Sequence, residues 1–375
     1  MHKIYHLISG GDAGGAKTHI YSLMKGLAGK VDAKILCFIR DRFYEDAIKN
    51  NIPIEVVEQR SRFDMSVMKK ISRKATRESV EILHCHGARA NFNALFFKGN
   101  IPKVTTIHSD YLLDFKDNKL KDMIFTPLNK MALKKFPFYI SVTKNFKNML
   151  IDRGFPEDRI FVIYNGIDIH REEEFVSKEV FLSRYQIPND HSYLFGIAAR
   201  LDKVKDHQTL LKAIGKEKNI LTNTRFLIAG TGAEEEHLKQ MAKELGIDDR
   251  VHFLGQVDDP FSLFNAIDIN MLTSKSESFP YALLEGAKLS KPVIATSVGG
   301  IPEMVRDGKD GWLFQPGNIE ELATILREVK DHPDQGRVRG ESFNQRVKEF
   351  FTVEAMANRH IDIYKEILRQ SGRKE

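Results

Sequence analysis

Two glutamates, Glu277 and Glu285, are separated by seven residues in the stretch SESFPYALLEG. Pro280 between them suits the first turn of a helix, which places Glu285 in the second turn and Glu277 in the loop before the helix. Backbone N–H groups at such a helix start favour phosphate or sugar oxygens. Since carboxylates accept hydrogen bonds from hydroxyls, the pair indicates a site for a polyhydroxylated ligand. A capping glutamate and a solvated helix glutamate would give the same pattern.

Two cations, Arg200 and Lys205, lie five residues apart in GIAARLDKVKD. The guanidinium is a planar fork of donors and the ammonium is a compact charge, and both suit the oxygens of a diphosphate. Fixed positive charge of this kind stabilises the negative charge that develops on a departing group. An exposed surface pair is the alternative for these two residues considered alone.

The histidines of the first half give weaker signals. His108 follows the apolar run KVTTI, and His84 and His86 are two apart on a predicted strand, so they share one face. A metal site at His84 and His86 would need third and fourth ligands, which the local sequence does not supply. A structural or surface role is the alternative for each of these histidines.

The stretch from Ser9 to His19, SGGDAGGAKTH, has nearly the spacing of a phosphate-binding P-loop. The additional Ala16 turns Lys17 about 100° around the following helix and away from the glycines, which excludes a P-loop. A plain strand-to-helix turn stays open. The other interpretation is a ligand loop in which Gly14 and Gly15 let the backbone approach its ligand.

Length and composition predict two globular domains. A chain of 375 residues exceeds the usual size of one core, and 42% hydrophobic with 29% charged residues is typical of globular proteins. Cys37 and Cys85 both lie in apolar runs, which indicates buried thiols in a reducing compartment. The N-terminus lacks the pattern of a signal peptide and no stretch is apolar enough to span a membrane, so we predict a cytoplasmic protein.

Charge is distributed unevenly along the chain. Residues 1–170 hold 28 basic and 18 acidic residues, whereas the remainder holds 29 and 33, which suggests domains with different partners. The basic runs 68–77 and 129–138 fit either solvated helix faces or attraction to anionic lipid or another polyanion. Nucleic acid is not an expected partner, because zinc-ligand spacing, an RNA-binding signature and a basic-zipper pattern are absent from the sequence.

Short apolar runs alternate with segments of helical period. The strand candidates are KIYHLIS, AKILCFI, EILHC, KVTTIH, PFYISV, RIFVIY, YLFGIAA, RFLIAG, VHFLG, IDINML, PVIAT and GWLF. This alternation predicts right-handed βαβ units and mostly parallel sheets in two doubly wound domains, with ligands beyond the carboxyl ends of the strands. The charged stretch 169–190 predicts a connector. The tail predicts a helix with an apolar stripe at Met356, Ile361, Tyr364 and Ile367.

Several loops in the same order resemble those of glycosyltransferase family 4, which has the GT-B fold. They are GIAARLDKVKD, IAGTGAEEEHL, VHFLGQV, SESFPYALLE, SVGGIPEMVRDGKDGWLF and, before the linker, VIYNGID. The resemblance covers most of the chain and is densest from 162 to 320. Ser278 and Asp206 stand where glycine is frequent in the family, and the change at Ser278 weakens any inference about the donor sugar.

The resemblance implies an α/β protein of the GT-B fold, with two Rossmann-like doubly wound domains that face a central cleft. The expected domains are an acceptor-binding domain at residues 1–168 and a nucleotide-sugar-binding domain at residues 169–350. Residues 351–375 form a helix that packs back toward the first domain.

The resemblance also implies roles for residues. The predicted catalytic set is His108 near the reacting carbon, Arg200 and Lys205 on the donor diphosphate, and Glu277 on the donor sugar. Glu285 would bind the ribose hydroxyls. The other predicted donor-binding residues are Gly14, Gly15, Gly232, Gln256, Val257, Ser278, Phe279 and Pro280. The chain has no D-x-D, the carboxylate pair of metal-dependent sugar transfer in the other major fold. We therefore expect no metal and no cofactor besides the nucleotide-sugar substrate.

These features predict a retaining glycosyltransferase that moves a sugar from a nucleotide-sugar, with UDP favoured, to an acceptor hydroxyl in envelope, capsule or exopolysaccharide synthesis. A lipid-linked or glycan acceptor and peripheral contact with the anionic inner membrane surface are the expected partners. Two alternatives are a GT-B nucleotide-sugar epimerase and a non-catalytic sugar- or nucleotide-binding protein of a surface assembly. The paired glutamates with Arg200 and Lys205 argue against the first, and the occupied family positions argue against the second.

Overall fold

The computed structural model describes residues 1–11, 14–61, 64–112 and 119–372, without the side chains of 119–122. The chain divides into two compact units: unit 1 contains residues 1–168 and 352–375, and unit 2 contains residues 169–351. The strands of unit 1 are β1 (Lys3–Ile8), β2 (Asp32–Cys37), β3 (Ile54–Val56), β4 (Ile82–His86), β5 (Lys103–Ile107), β6 (Phe138–Ser141) and β7 (Ile160–Val162). Those of unit 2 are β8 (Tyr193–Ala198), β9 (Thr224–Ala229), β10 (Val251–Gly255), β11 (Ile269–Leu272), β12 (Val293–Thr296) and β13 (Gly311–Phe314).

Helices connect these strands. In unit 1 they are α1 (Gly15–Leu27), α2 (Arg42–Lys49), α3 (Ser66–Arg77), α4 (Ala88–Ala94), α5 (Lys119–Leu133), α6 (Lys144–Asp152) and, at the end of the chain, α15 (Val353–Gln370), with a 3₁₀ turn at Glu157–Arg159. In unit 2 they are α7 (Lys178–Arg184), α8 (His207–Lys216), α9 (Glu235–Leu245), α10 (Pro260–Ala266), α11 (Tyr281–Lys288), α12 (Ile301–Met304), α13 (Ile319–Asp331) and α14 (Pro333–Phe350).

Each unit contains one parallel sheet with the doubly wound strand order. The seven strands of unit 1 are ordered β3-β2-β1-β4-β5-β6-β7, and the six of unit 2 are ordered β10-β9-β8-β11-β12-β13. The order reverses between β1 and β4 in unit 1 and between β8 and β11 in unit 2. In sheets of this kind, a crevice at the carboxyl ends of the strands opens at the point of reversal.

The alternation of side chains along β1 divides the core of unit 1. Ile4 and Ile8 belong to one apolar cluster, which includes residues of α1 and α15, whereas Tyr5 and Leu7 belong to another. Because successive strand residues point to opposite faces, His6 lies on the side of Ile4 and Ile8. The face of the sheet that α1 and α15 cover therefore contains imidazoles as well as aliphatic side chains.

Two segments differ from the sequence-based expectation. Strand β3 is absent from the strand candidates, because it has only three residues and carries Glu55, as an edge strand often does. The predicted connector 169–190 contains α7, whose Phe181 and Leu182 pack with Leu263 and Phe264 in the core of unit 2. The stretch is charged, yet its apolar residues belong to a domain core.

The basic run 68–77 lies within α3, where Met68 and Ile71 are buried and the lysines at 69 and 70 are exposed. The two cysteines, Cys37 and Cys85, are buried free thiols, which confirms the expectation from their apolar surroundings. Among the helices that the structure describes, none combines the length and apolar character needed to cross a lipid bilayer.

Candidate active site

Three predicted residues of unit 2 lie on loops that follow adjacent strands. Arg200 and Lys205 follow β8, and Glu277 follows β11. Strands β8 and β11 pair directly, at the point where the strand order reverses. The fold therefore brings these loops to the sheet edge where doubly wound proteins bind their ligands.

Lys205 and Glu277 form a mostly buried ion pair. The Lys205 Nζ donates to Glu277 Oε1 at 2.6 Å, and Ser274 Oγ donates to the same oxygen at 2.6 Å. Only 8% of the Glu277 side chain is exposed. Among the described residues, no hydrogen bond engages Glu277 Oε2. The contacts on Oε1 fix the carboxylate, and Oε2 is available to accept a hydrogen bond from a ligand hydroxyl.

Backbone contacts join the two loops. Thr273 Oγ1 donates to the Lys205 carbonyl at 2.9 Å, and the Lys275 N–H donates to the Val204 carbonyl at 2.7 Å. These bonds hold the main chain on either side of the ion pair. The position of the Lys205 ammonium is thus set by the fold and by its carboxylate partner together.

Asp206 has a backbone conformation that favours glycine. Its backbone is left-handed, with φ 50° and ψ 45°, a conformation that costs a non-glycine residue about 1–2 kcal/mol. The carboxylate offsets part of that cost, because Oδ2 accepts from Thr209 Oγ1 at 2.7 Å and Oδ1 lies 3.2 Å from Lys275 Nζ. Aspartate tolerates this conformation better than most residues.

A glycine turn supports the Glu277 loop from behind. Gly299 has φ +55°, and a Cβ placed on it would lie 1.7 Å from the Glu277 carbonyl oxygen. The next residue, Gly300, donates its N–H to the Ser278 carbonyl at 2.8 Å. A side chain at position 299 would displace the backbone that positions Glu277.

A cavity of about 220 Å³ lies beyond β8 and β9. Arg200, Gln256 and Val257, all predicted to bind the donor, contribute to its wall. Gly232 lies against the loop after β8, where a Cβ would lie only 2.1 Å from the Leu201 carbonyl oxygen. Arg200 is 75% exposed and lies 3.0 Å from Asp202, so its guanidinium can still turn toward a bound anion.

Helix α11 starts one residue later than the sequence predicts. Pro280 precedes the helix with extended backbone angles of φ −71° and ψ 123°, and Tyr281 is the first helical residue. The Phe279 side chain is buried and packs on Phe351, with ring centroids 5.1 Å apart. A donor at this loop would therefore meet the backbone at 279 rather than the ring.

Glu285 lies in the second turn of α11, as expected, but its proton affinity is unusual. Burial raises the pKa of this carboxyl to about 7, and the nearby charge of Glu173 adds to the shift. Glu173 itself accepts from Lys288 Nζ at 2.7 Å. Glu285 is thus divided between its charged and neutral forms near neutral pH.

The predicted glycine loop of unit 1 leads into α1. Gly14 caps the helix with φ +64° and Gly15 is its first residue, whereas positions 12 and 13 lie outside the described residues. Lys17 forms an ion pair with Asp46 and lies over the ring of Tyr21. Lys17 is therefore engaged within unit 1, consistent with the exclusion of a P-loop.

Unit 1 gathers histidines that are far apart in the sequence. His108 follows β5, as expected, and lies within hydrogen-bonding distance of His86, with 3.3 Å between Nε2 and Nδ1. Rings from β1, α1, β4 and α15 lie against one another, with neighbouring centroids 4.3–6.1 Å apart. The cluster comprises His6, His19, His84, His86, His108 and His360.

The cluster supplies neighbouring imidazoles that the local sequence around His84 and His86 does not contain. The missing partners come from other elements, because β1, β4 and β5 are adjacent in the sheet while their histidines are distant in sequence. The H-x-H spacing on β4 was the sequence feature that could have indicated this cluster. Combined with the strand order of a doubly wound sheet, it would have placed His6 beside this pair.

Burial keeps these imidazoles uncharged. It lowers the pKa of His6 to about 3 and that of His19 to about 4. Burial also holds the pKa values of the other four histidines well below the ordinary value, with neighbouring histidines adding to the shift. At neutral pH the cluster is a set of neutral nitrogen donors and acceptors.

Two Rossmann-like units with parallel sheets define the class of the protein, which has the GT-B fold. The family described as "Glycosyl transferases group 1" matches residues 182–346, and that described as "Glycosyltransferase Family 4" matches residues 13–171. The chain therefore belongs to glycosyltransferase family 4, and the protein is a glycosyltransferase of the GT-B type.

Similar proteins agree with this membership. The chain is 28% identical over 317 residues to N-acetyl-alpha-D-glucosaminyl L-malate synthase of Bacillus anthracis, covering 82% of this chain and 80% of the relative. It is 24% identical to the O-antigen biosynthesis glycosyltransferase WclY of Escherichia coli, covering 98% and 99%. The crystal structure of Anabaena HepE in complex with UDP shares its fold, with a TM-score of 0.82, 21% identity and coverage of 97% and 100%.

Proposed function

We propose that the protein transfers a sugar from a UDP-sugar to an acceptor hydroxyl, with retention of configuration and without a metal ion, in the synthesis of a cell-envelope, capsule or exopolysaccharide glycan. The observation that carries the proposal is the Lys205–Glu277 ion pair at the strand ends of unit 2. It combines a cation for a diphosphate with a carboxylate for a sugar.

In this proposal the diphosphate binds Arg200 and Lys205. The lysine ammonium has three donors and its one hydrogen bond among the described side chains goes to Glu277, so donors remain for phosphate oxygens. The exposed guanidinium of Arg200 supplies a second cation. Together the two cations provide the stabilisation of the leaving diphosphate that a metal ion provides in other enzymes.

The donor sugar and the ribose would each meet a carboxylate. Glu277 Oε2 accepts from a sugar hydroxyl while Oε1 keeps its bonds to Lys205 and Ser274. Glu285 accepts from the ribose hydroxyls. Since its pKa is about 7, hydrogen bonds from these hydroxyls favour the charged form and draw the group toward ionisation.

The reaction itself would need little protein chemistry. The leaving phosphate takes the proton of the acceptor hydroxyl, and His108 contacts the sugar near the reacting carbon. His108 is suited to this as a neutral imidazole, because burial holds its pKa well below the usual range. A neutral ring can accept or donate a hydrogen bond without adding charge beside the sugar.

The names of similar proteins support the choice of donor and acceptor class. Structures of HepE are described in complex with UDP and with UDP-glucose. WclY is named for O-antigen biosynthesis. We therefore propose a UDP-sugar donor and a glycan or lipid-linked acceptor.

A basic surface of unit 1 supports contact with an anionic membrane surface. The lysines at 69 and 70 and the arginine at 73 project from α3 into solvent. Binding of the protein to vesicles of phosphatidylglycerol and phosphatidylcholine should occur at low salt and weaken as salt screens the charges. An absence of binding at low salt would refute this contact.

The function is tested by measuring nucleotide diphosphate release over a panel of UDP-, GDP- and ADP-sugars, with and without membrane extract and with a chelator present. We expect UDP release that depends on the extract and survives chelation, and a product whose anomeric configuration by NMR equals that of the donor. Conversion of the nucleotide-sugar without any acceptor would indicate an epimerase. Activity that is abolished by the chelator and restored by Mg²⁺ or Mn²⁺ would contradict the metal-free proposal.

A further inference from the structure

Three histidines of unit 1 have the spacing of metal ligands. One ring nitrogen from each of His19, His86 and His108 lies within 4.8 Å of one from each of the other two. His86 Nδ1 and His108 Nε2 are 3.3 Å apart. Two nitrogens bound to one tetrahedral ion at 2.0–2.1 Å are separated by about 3.3 Å, so this pair already spans an edge of such a site.

The outer hydrogen bonds of the two buried rings leave lone pairs for an ion. The His19 Nδ1–H donates to Asn165 Oδ1 at 2.8 Å, which leaves the lone pair on Nε2. That nitrogen is buried and has no hydrogen-bond partner among the described residues. His86 Nε2 lies 3.1 Å from His6 Nδ1 and can donate a hydrogen bond to it. The lone pair of His86 is then on Nδ1, where it can face an ion. Metal-bound histidines regularly donate their second N–H to such outer partners.

A neighbouring set of histidines is less suited to an ion. His6, His84 and His86 also have nitrogens within 4.8 Å of one another. However, His84 Nδ1 lies 2.7 Å from the Tyr364 hydroxyl, and His84 Nε2 lies 2.7 Å from Thr106 Oγ1. An ion there would have to displace one of these bonds, which are buried.

We propose that the trio His19, His86 and His108 binds one transition-metal ion of the Zn²⁺ class. The trio supplies three neutral imidazole nitrogens and leaves a fourth position for water. His19 and His86 are buried and His108 is partly exposed, so the ion enters from the side of His108. In the metal-free state one proton lies between His86 Nδ1 and His108 Nε2. When the ion binds, this proton moves through solvent to Nδ1 of His108. The lone pairs of His86 Nδ1 and His108 Nε2 then both face the ion.

Occupation of the trio has a consequence for sugar transfer, and this part rests on the proposed function. A metal ion on His108 Nε2 removes that nitrogen from contact with the donor sugar. Zn²⁺ is thus an inhibitor and not a cofactor, and a chelator restores activity rather than abolishing it.

The site is tested by titrating the untagged, chelator-treated protein with Co²⁺ and recording visible absorption, followed by competition with Zn²⁺. We expect one equivalent of Co²⁺ in a tetrahedral environment and its displacement by Zn²⁺. His19→Gln and His108→Gln should each weaken binding by more than about 100-fold, the upper end of the effect of changing an outer partner. Asn165→Leu should weaken it by about 10- to 100-fold.

Two variants serve as matched controls, and circular dichroism checks the folding of each protein. His84→Gln removes a ligand of the neighbouring set only, and His237→Gln removes an exposed histidine of unit 2. Both should bind Co²⁺ as the unchanged protein does. Absence of stoichiometric binding, or binding lost in His84→Gln and kept in His19→Gln, would overturn the proposal. Because the titration contains no donor, its result does not depend on whether sugar transfer is observed.

Discussion

The two units hold different chemistry at the same point of the same fold. In unit 1 the strands on either side of the reversal, β1 and β4, contribute buried neutral imidazoles. In unit 2 the loops after β8 and β11 contribute a lysine and a glutamate that form an ion pair. The doubly wound sheet provides the crevice, and the side chains at the strand ends decide whether it holds charge or excludes it.

Both units also contain buried polar atoms that have no hydrogen-bond partner among the described residues. In unit 1 they include His6 Nε2, His19 Nε2 and His360 Nε2, and in unit 2 they include both ring nitrogens of His207 and Asn270 Oδ1. A buried polar atom without a partner costs about 1–3 kcal/mol. Each unit therefore retains groups that reduce its stability, and in unit 1 they are concentrated in the histidine cluster.

The largest expected difference between the two units is in how much acid lowers their free energy of unfolding. His6 and His19 have folded pKa values of about 3 and 4 and unfolded values near 6.5, so the unfolded state binds more protons below pH 6.5. The free energy of unfolding consequently falls as the pH falls, by about 5 kcal/mol for these two groups between pH 6.5 and 4.5. In unit 2, His207 with a pKa of about 4 contributes about half as much. We expect unit 1 to unfold at higher pH than unit 2.

The single tryptophan allows this to be measured. Trp312 is buried in unit 2, so its fluorescence follows unit 2, whereas far-ultraviolet circular dichroism follows both units. A dichroism change that precedes the fluorescence change on acidification agrees with the expectation. Replacement of His6 by Asn should reduce the pH dependence by about 1.4 kcal/mol per pH unit. Coincident transitions that this replacement leaves unchanged would show that the imidazoles do not control acid stability.

The charged site is tested by Lys205→Ala. Loss of one preorganised donor to the leaving diphosphate should lower kcat by about 10²- to 10³-fold. The matched control is Lys203→Ala, which removes an exposed lysine from the same loop and should leave kcat nearly unchanged. Trp312 fluorescence during urea unfolding checks that the unpaired Glu277 has not unfolded unit 2. A kcat near that of the unchanged protein would remove Lys205 from the diphosphate site.

All strands of both sheets except β3 could be predicted, because each of them is a short apolar run between helical segments. The roles of Arg200, Lys205 and Glu277 followed from the resemblance of several loops to glycosyltransferase family 4, since an exposed surface pair and a capping glutamate fit the same residues considered alone. The left-handed backbone at Asp206 could not be predicted from the sequence, because aspartate adopts several conformations and only tertiary contacts select this one. The histidine cluster also required strand order: His6 and His84 become neighbours only when β1 pairs with β4.

The turn behind Glu277 offers a smaller effect that is specific to unit 2. Gly299→Ala should lower the free energy of unfolding of unit 2 by more than about 2 kcal/mol, because a left-handed alanine is strained and its Cβ meets the Glu277 carbonyl. Gly308 has a similar φ of +70° but open space around its Cβ position. Gly308→Ala should therefore cost only about 1 kcal/mol. Equal losses in the two variants, measured by Trp312 fluorescence in urea, would show that the close approach at Gly299 is relieved at no cost.

The smallest effect concerns the backbone at Asp206. Asp206→Ala removes the bonds to Thr209 and Lys275 and keeps a left-handed residue with a Cβ, whereas Asp206→Gly removes the same bonds and relieves the strain. The glycine variant should thus be more stable than the alanine variant by about 1 kcal/mol, measured by urea unfolding of unit 2. Because both variants lack the carboxylate, the comparison isolates the backbone. An alanine variant as stable as the glycine variant would mean that the loop relaxes out of the left-handed conformation. The Lys205 ammonium would then depend on Glu277, rather than on the backbone, for its position.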